Sequence, residues 1–93
     1  MSLLLIANIT AKPGCGPDLK PALLELVEAV RTEPACLLYE LYESTESPDR
    51  FIMHERWPDQ AGLDAHNQMP HMAAFQQKAG SLLDDVTLTK VEQ

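Results

Sequence analysis

The run Leu3-Leu4-Leu5-Ile6-Ala7-Asn8-Ile9-Thr10-Ala11-Lys12, followed at once by Pro13-Gly14, sets the architecture of this 93-residue chain. It opens apolar, turns polar at Asn8, Thr10 and Lys12, and is stopped by a proline–glycine pair, the signature of a strand running into a turn. Neighbouring side chains of a strand point to opposite faces, so Leu3 and Leu5 on one side and Leu4 and Ile6 on the other leave both faces apolar. Outward from this strand, Leu19, Leu23, Leu26, Val27 and Val30 recur at spacings of three and four, with Lys20, Glu25, Glu28 and Arg31 opposite, which predicts an amphipathic helix. Proline is tolerated in a first helical turn, so Pro21 places the start of this helix close by, with Asp18 as its expected N-cap and Pro34 beyond its end.

Residues 36–43 and 50–57 are rich in Leu, Tyr, Phe, Ile and Trp, and Ser44 to Asp49 between them carries turn residues, which predicts a hairpin. A short helix over 59–66 capped by Asp59, a second helical piece from Pro70 through Phe75 to Leu82, and a closing strand over 86–91 complete the order. Strand, helix, strand, strand, helix, strand is the βαββαβ order of a ferredoxin-like α+β domain: one antiparallel sheet with its helices on one face, here a single domain over 1–93. Helices cover only one side of such a sheet. The second apolar face, to which Leu38 against Leu37 and Leu41 adds, calls for another cover, and an identical sheet in a homodimer is the expected one.

Composition narrows the function. The formal charge is −7 and the seven basic residues are scattered, so there is no electrostatic footprint for nucleic acid. No stretch approaches the roughly 20 apolar residues of a membrane span, and residues 1–9 lack a basic start and a small-residue cleavage site. A cytoplasmic location without membrane or nucleic-acid partners is expected. In that reducing setting Cys15 and Cys36, not in a CxxC arrangement, are read as free thiols without a role.

Residues able to carry chemistry gather in the second half. His66 and His71 flank Asn67-Gln68-Met69-Pro70; their spacing of five across a proline does not place them on one helical face, and no third ligand is evident, so no metal is expected. Each can be a base or a satisfied structural imidazole. Trp57, at the end of a strand, either fills core or walls a ligand cleft. Asn8, a carboxamide within an apolar strand, either ties down a loop or points into a pocket. Glu55 and Arg56 alternate sides and read as surface ion-pair residues. Glycine-rich phosphate loops, dinucleotide fingerprints and a nucleophile beside a base are all missing, so no cofactor is expected.

At Phe51-Ile52-Met53-His54-Glu55-Arg56-Trp57, followed after eight residues by His66 and then by Pro70-His71, the sequence resembles the antibiotic biosynthesis monooxygenase family. Lys12-Pro13-Gly14, Leu38-Tyr39-Glu40-Leu41-Tyr42 and Phe75 are similar to its pattern as well. The resemblance implies a dimeric α+β barrel and a range of activities: cofactor-free oxidation of phenols or quinols by molecular oxygen, haem degradation, and isomerisation of small carbonyl compounds. The haem-degrading branch resembles this chain at Asn8 only, since His66 and Gln76 stand where its tryptophan and histidine would fall. What the resemblance implies for this chain is oxidation of a small phenolic or quinol-type metabolite, with His66 or His71 as the base and Asn8, Trp57, Tyr39, Met53 and Phe75 against the substrate. A histidine with a reference pKa of about 6.5 suits that base near neutrality. An isomerase using the same histidines, and a non-catalytic dimer that holds a hydrophobic metabolite, are the alternatives.

Overall fold

The computed structural model describes residues 2–92; Met1 and Gln93, the ends of the single domain expected over 1–93, lie outside the described residues. Strand β1 (Leu3–Ala11) leads into helix α1 (Gly16–Val30), and strands β2 (Leu38–Glu43) and β3 (Arg50–Trp57) form a hairpin. Helices α2 (Gln60–Asn67) and α3 (Pro70–Ala79), a 3₁₀ turn (Gly80–Leu82) and strand β4 (Leu83–Glu92) follow. The sheet order is β2-β3-β1-β4 with every neighbouring pair antiparallel, the ferredoxin-like topology expected. The second helical element is two pieces, as the sequence predicts, because Pro70 cannot extend α2 and instead opens α3.

Period-two burial along β1 sorts the two faces: Leu3, Leu5, Ala7, Ile9 and Ala11 are buried under the helices, while Asn8 between them is exposed on the outer face. Along β3 the buried set is Phe51, Met53, Glu55 and Trp57. In α1, Leu19, Leu23, Leu26, Val27 and Val30 are all buried, as the spacing predicts. No helix is long and apolar enough to cross a membrane among the described residues.

The start of α1 differs from expectation. Asp18 is not its N-cap: the helix begins at Gly16, and the residue in the cap position, Cys15, makes no side-chain cap bond. The cap comes from across the fold, where the Asp49 carboxylate in the β2–β3 connection accepts Gly16 N–H at 2.7 Å and Gly14 N–H at 3.0 Å. Gly14 has φ +82°, which lets the chain turn back under that carboxylate. Pro21 consequently lies inside the helix, where a proline costs about 3 kcal/mol. Burying one leucine side chain offsets about 1.5–3 kcal/mol, so the apolar face of α1 outweighs the missing bond.

Smaller differences lie at other element ends. Strand β2 starts at Leu38, since Cys36 N–H is drawn into a turn by the Glu33 carbonyl at 3.1 Å. Helix α3 stops at Ala79, and β4 begins at Leu83, earlier than the alternation over 86–91 predicts, because Ala11 pairs with Leu83 across a bulge.

Candidate active site

A cavity of about 440 Å³ lies between the inner face of the sheet and helices α2 and α3. The small Ala7 side chain, flanked along β1 by Leu5 and Ile9, forms part of its floor, and Tyr39 and Met53 line it from β2 and β3. Phe75 from α3 closes it above, and on β4 it reaches the half-exposed Val86 and the exposed Leu88, so its mouth lies toward that edge. Apolar groups dominate the lining; the polar exceptions include Glu55 and His66.

His66 sits in the last turn of α2, a helix started by Asp59, whose side chain accepts Gly62 N–H at 2.8 Å. Its ring is 2% exposed. It packs on Trp57 with centroids 4.5 Å apart and rings tilted by 32°, and Tyr39 lies 5.7 Å away. Nδ1 is 3.0 Å from Oε2 of Glu33, a buried carboxylate in the segment between α1 and β2. The same oxygen is 2.6 Å from Nε2 of His71, in the first turn of α3, whose ring is partly exposed. A carboxylate accepts, so both facing ring nitrogens donate. In the neutral form of the His66 ring this arrangement leaves Nε2 as the acceptor, with no partner among the described residues, on a ring that lines the cavity.

Glu55 is a second titratable group on the cavity wall. It is 4% exposed rather than on the surface, because on β3 it shares the inward face with Met53 and Trp57. Burial raises its pKa to about 7; Trp57 Nε1–H, donating at 3.1 Å, pulls the other way, and the charge of Glu33 adds to the rise. Arg56 faces the other side, where its Nη1 donates to Ser2 Oγ at 2.7 Å. Burial likewise pushes the Tyr39 hydroxyl far up, so it stays protonated.

The raised Glu55 pKa makes stability pH-dependent. The folded protein holds this proton more tightly than the unfolded chain, with its ordinary value of 4.5, so the contribution is intact below pH 4.5 and is lost as pH rises through about 7. A displacement of that size corresponds to about 3 kcal/mol. Glu55→Gln keeps an acceptor for Trp57 and carries no charge. It is expected to be more stable than the parent chain by about 2–3 kcal/mol at pH 8 and nearly equal to it at pH 4, as read from urea unfolding at the two pH values.

Of the residues singled out in the sequence, His66, Tyr39, Met53 and Phe75 are brought together around the cavity. Trp57 is fully buried behind His66 and supports that ring instead of lining the space. His71 stands on the far side of Glu33 and lines a shallow surface depression with Ala22 and Lys78. Asn8 is on the opposite face of the sheet, beside Tyr42 and Arg50. Sequence reasoning missed Glu33 and Glu55. Glu55 was within reach, since the alternation of Phe51, Met53 and Trp57 puts it on the inward face. Glu33 lies in an irregular link where no periodicity operates, and it supplies the third metal-binding type of group that the spacing of the histidines did not reveal.

An antiparallel ferredoxin-like sheet with an apolar cavity between it and the helices is the fold class of this protein. The family described as antibiotic biosynthesis monooxygenase matches residues 2–78, and the chain belongs to it. YcnE of Bacillus subtilis, whose name assigns it provisionally to the monooxygenases, is 30% identical over 98% of this chain and 99% of its own length. An uncharacterised Synechocystis protein, sll1783, is 31% identical over 87% of the chain, which spans only 55% of that relative's length. Among solved structures, PA3566 from Pseudomonas aeruginosa superimposes with a TM-score of 0.93 at 35% identity, covering 99% of this chain and 93% of that one.

Proposed function

We propose that this protein is a cofactor-independent monooxygenase acting on a small phenolic or quinol-type substrate. The observation that carries this reading is His66 in an apolar cavity, its Nδ1–H held by the buried Glu33 carboxylate and its Nε2 free to accept a proton. Family membership supports the oxidative chemistry. His66 takes the phenol proton and leaves a phenolate able to pass an electron to oxygen. Overall, phenol plus O₂ gives quinone plus water: one oxygen atom enters the ring, the other leaves as water, and the substrate supplies all the electrons. Tyr39, Met53 and Phe75 bind the ring, the dry cavity protects reactive intermediates, and Trp57 and Glu33 are positioning residues that hold His66. Oxygen uptake with a panel of small quinols and naphthols tests this. Saturable consumption with quinone formation is expected, and turnover that continues unchanged without oxygen would overturn it.

That second outcome belongs to an isomerase, which Glu55 specifically favours. A carboxyl with a pKa near 7 shares one cavity with His66, and such a pair can remove a proton beside a carbonyl and return it at a neighbouring carbon.

The working form in this reading is a cytoplasmic homodimer. The outer face of the sheet presents Leu4, Ile6, Tyr42, Ile52 and Val91, of which the last three are substantially exposed, and a second copy covers such a face most simply. Light scattering at micromolar concentration is expected to give about twice the 10.3 kDa chain mass; a species at the chain mass would refute the pairing.

A further inference from the structure

Glu33, His66 and His71 reach one point from three segments: the link after α1, the last turn of α2 and the first turn of α3. One carboxylate oxygen, Nδ1 of His66 and Nε2 of His71 all lie within 4.8 Å of one another. We propose that these three side chains form a binding site for a divalent first-row transition-metal ion, with zinc as its simplest occupant. Two imidazole nitrogens and one carboxylate oxygen are a ligand set such ions favour, and three protein ligands leave a fourth tetrahedral position for water.

Charge supports the assignment. Glu33 is 6% exposed, and no lysine or arginine is paired with it among the described residues; its only ion-pair partners are the two imidazoles. With imidazoles rather than a lysine or arginine as its partners, Glu33 gains a full countercharge from a dication on the same three side chains. The spacing supports it too. Ligand atoms at about 2.0–2.2 Å from a tetrahedral ion lie roughly 3.3–3.5 Å from each other. The two separations from the Glu33 oxygen, 3.0 and 2.6 Å, would open toward that value, and the two ring nitrogens, which lie within 4.8 Å of each other, would draw in toward it. The ring of His66 is already fixed against Trp57, while the partly exposed His71 ring gives the ion a way in from the surface. An ion on Nδ1 would leave the neutral His66 ring with its proton on Nε2, so the metal-bound form would not use His66 as the base proposed above.

The test uses the full-length chain stripped of metal, titrated with Zn(II) by calorimetry and with Co(II) by visible absorption, and needs no substrate. One ion per chain is expected, with Co(II) bands of a nitrogen and oxygen site and without the thiolate charge-transfer band that Cys15 or Cys36 would produce. Glu33→Gln and His71→Ala are each expected to weaken binding by about tenfold or more. His71 is at the surface, so its variant keeps a folded comparison even if Glu33→Gln is destabilised. A Cys15→Ser, Cys36→Ser double variant should bind as the parent does. Absence of saturable binding, a thiolate band, or affinity unaffected by Glu33→Gln and His71→Ala would each overturn the site. None of these results depends on whether the cavity turns over a quinol.

Discussion

Replacing His66 by alanine is expected to lower substrate-dependent oxygen consumption by about two to four orders of magnitude, the usual worth of a positioned general base. The ring is an imidazole on the cavity wall whose Nε2 has no protein partner among the described residues. The Tyr39 hydroxyl, held protonated by burial, cannot stand in for it, and Glu55, with a pKa near 7, is the remaining titratable group on the cavity wall. Glu33→Gln should fall between the parent chain and His66→Ala. The amide can still accept one hydrogen bond, but it withdraws the negative charge that stabilises the imidazolium formed when the substrate gives up its proton. Initial rates in an oxygen electrode, with circular dichroism to show that each variant is folded, make the measurement. A His66→Ala enzyme as fast as the parent would remove His66 from the chemistry, and Glu55 would then be the base to examine.

Trp57→Ala carries the largest expected cost to the fold. The side chain is wholly buried, and large-to-small changes at such sites cost about 3–5 kcal/mol for an aromatic residue. Domains of this size have about 5–15 kcal/mol in total, so the variant should unfold at far lower urea or fail to accumulate. Trp57→Phe separates the two tasks of the indole. The phenyl ring still backs His66, but the Nε1–H bond to Glu55 is gone, which costs about 1.5–3 kcal/mol at high pH and drives the Glu55 pKa further up. Because Trp57 is the chain's single tryptophan, unfolding has to be followed by circular dichroism. A Trp57→Ala midpoint within a few tenths molar of the parent would show that the ring is not integral to the core.

Strand order and helix faces were legible in the residues because their causes are local: alternation in β1 and β3, spacings of three and four in α1, and the Asp59 cap of α2. The errors have non-local causes. Asp18 looks like a cap by its position in the chain, yet the cap is a residue 31 positions further on, which only the folded hairpin brings near. Asn8 looks costly within an apolar run, but it stands on the outer face of β1, away from the core under the helices, where it is exposed in the single chain. Trp57 was placed at the right end of the right strand; whether its ring meets a ligand or another side chain depends on where α2 sets His66. Glu33 had no local signal, since its meaning comes from two histidines more than thirty residues away.

The Asp49 cap also joins the two halves of the molecule into one folding unit. The first turn of helix α1 has its Gly16 amide satisfied by that carboxylate, and a β-carbon at Gly16 would overlap the Pro48 carbonyl, so helix start and hairpin loop are packed in direct contact. The Ser44–Asp49 connection is further braced internally, with Ser44 Oγ accepting from the Glu46 and Ser47 amides. Loop tips of this kind ordinarily accept insertions and cuts. Here the loop is a clasp of fixed length, so a tag, graft or circular permutation placed in it would release the beginning of a helix that lies across the fold.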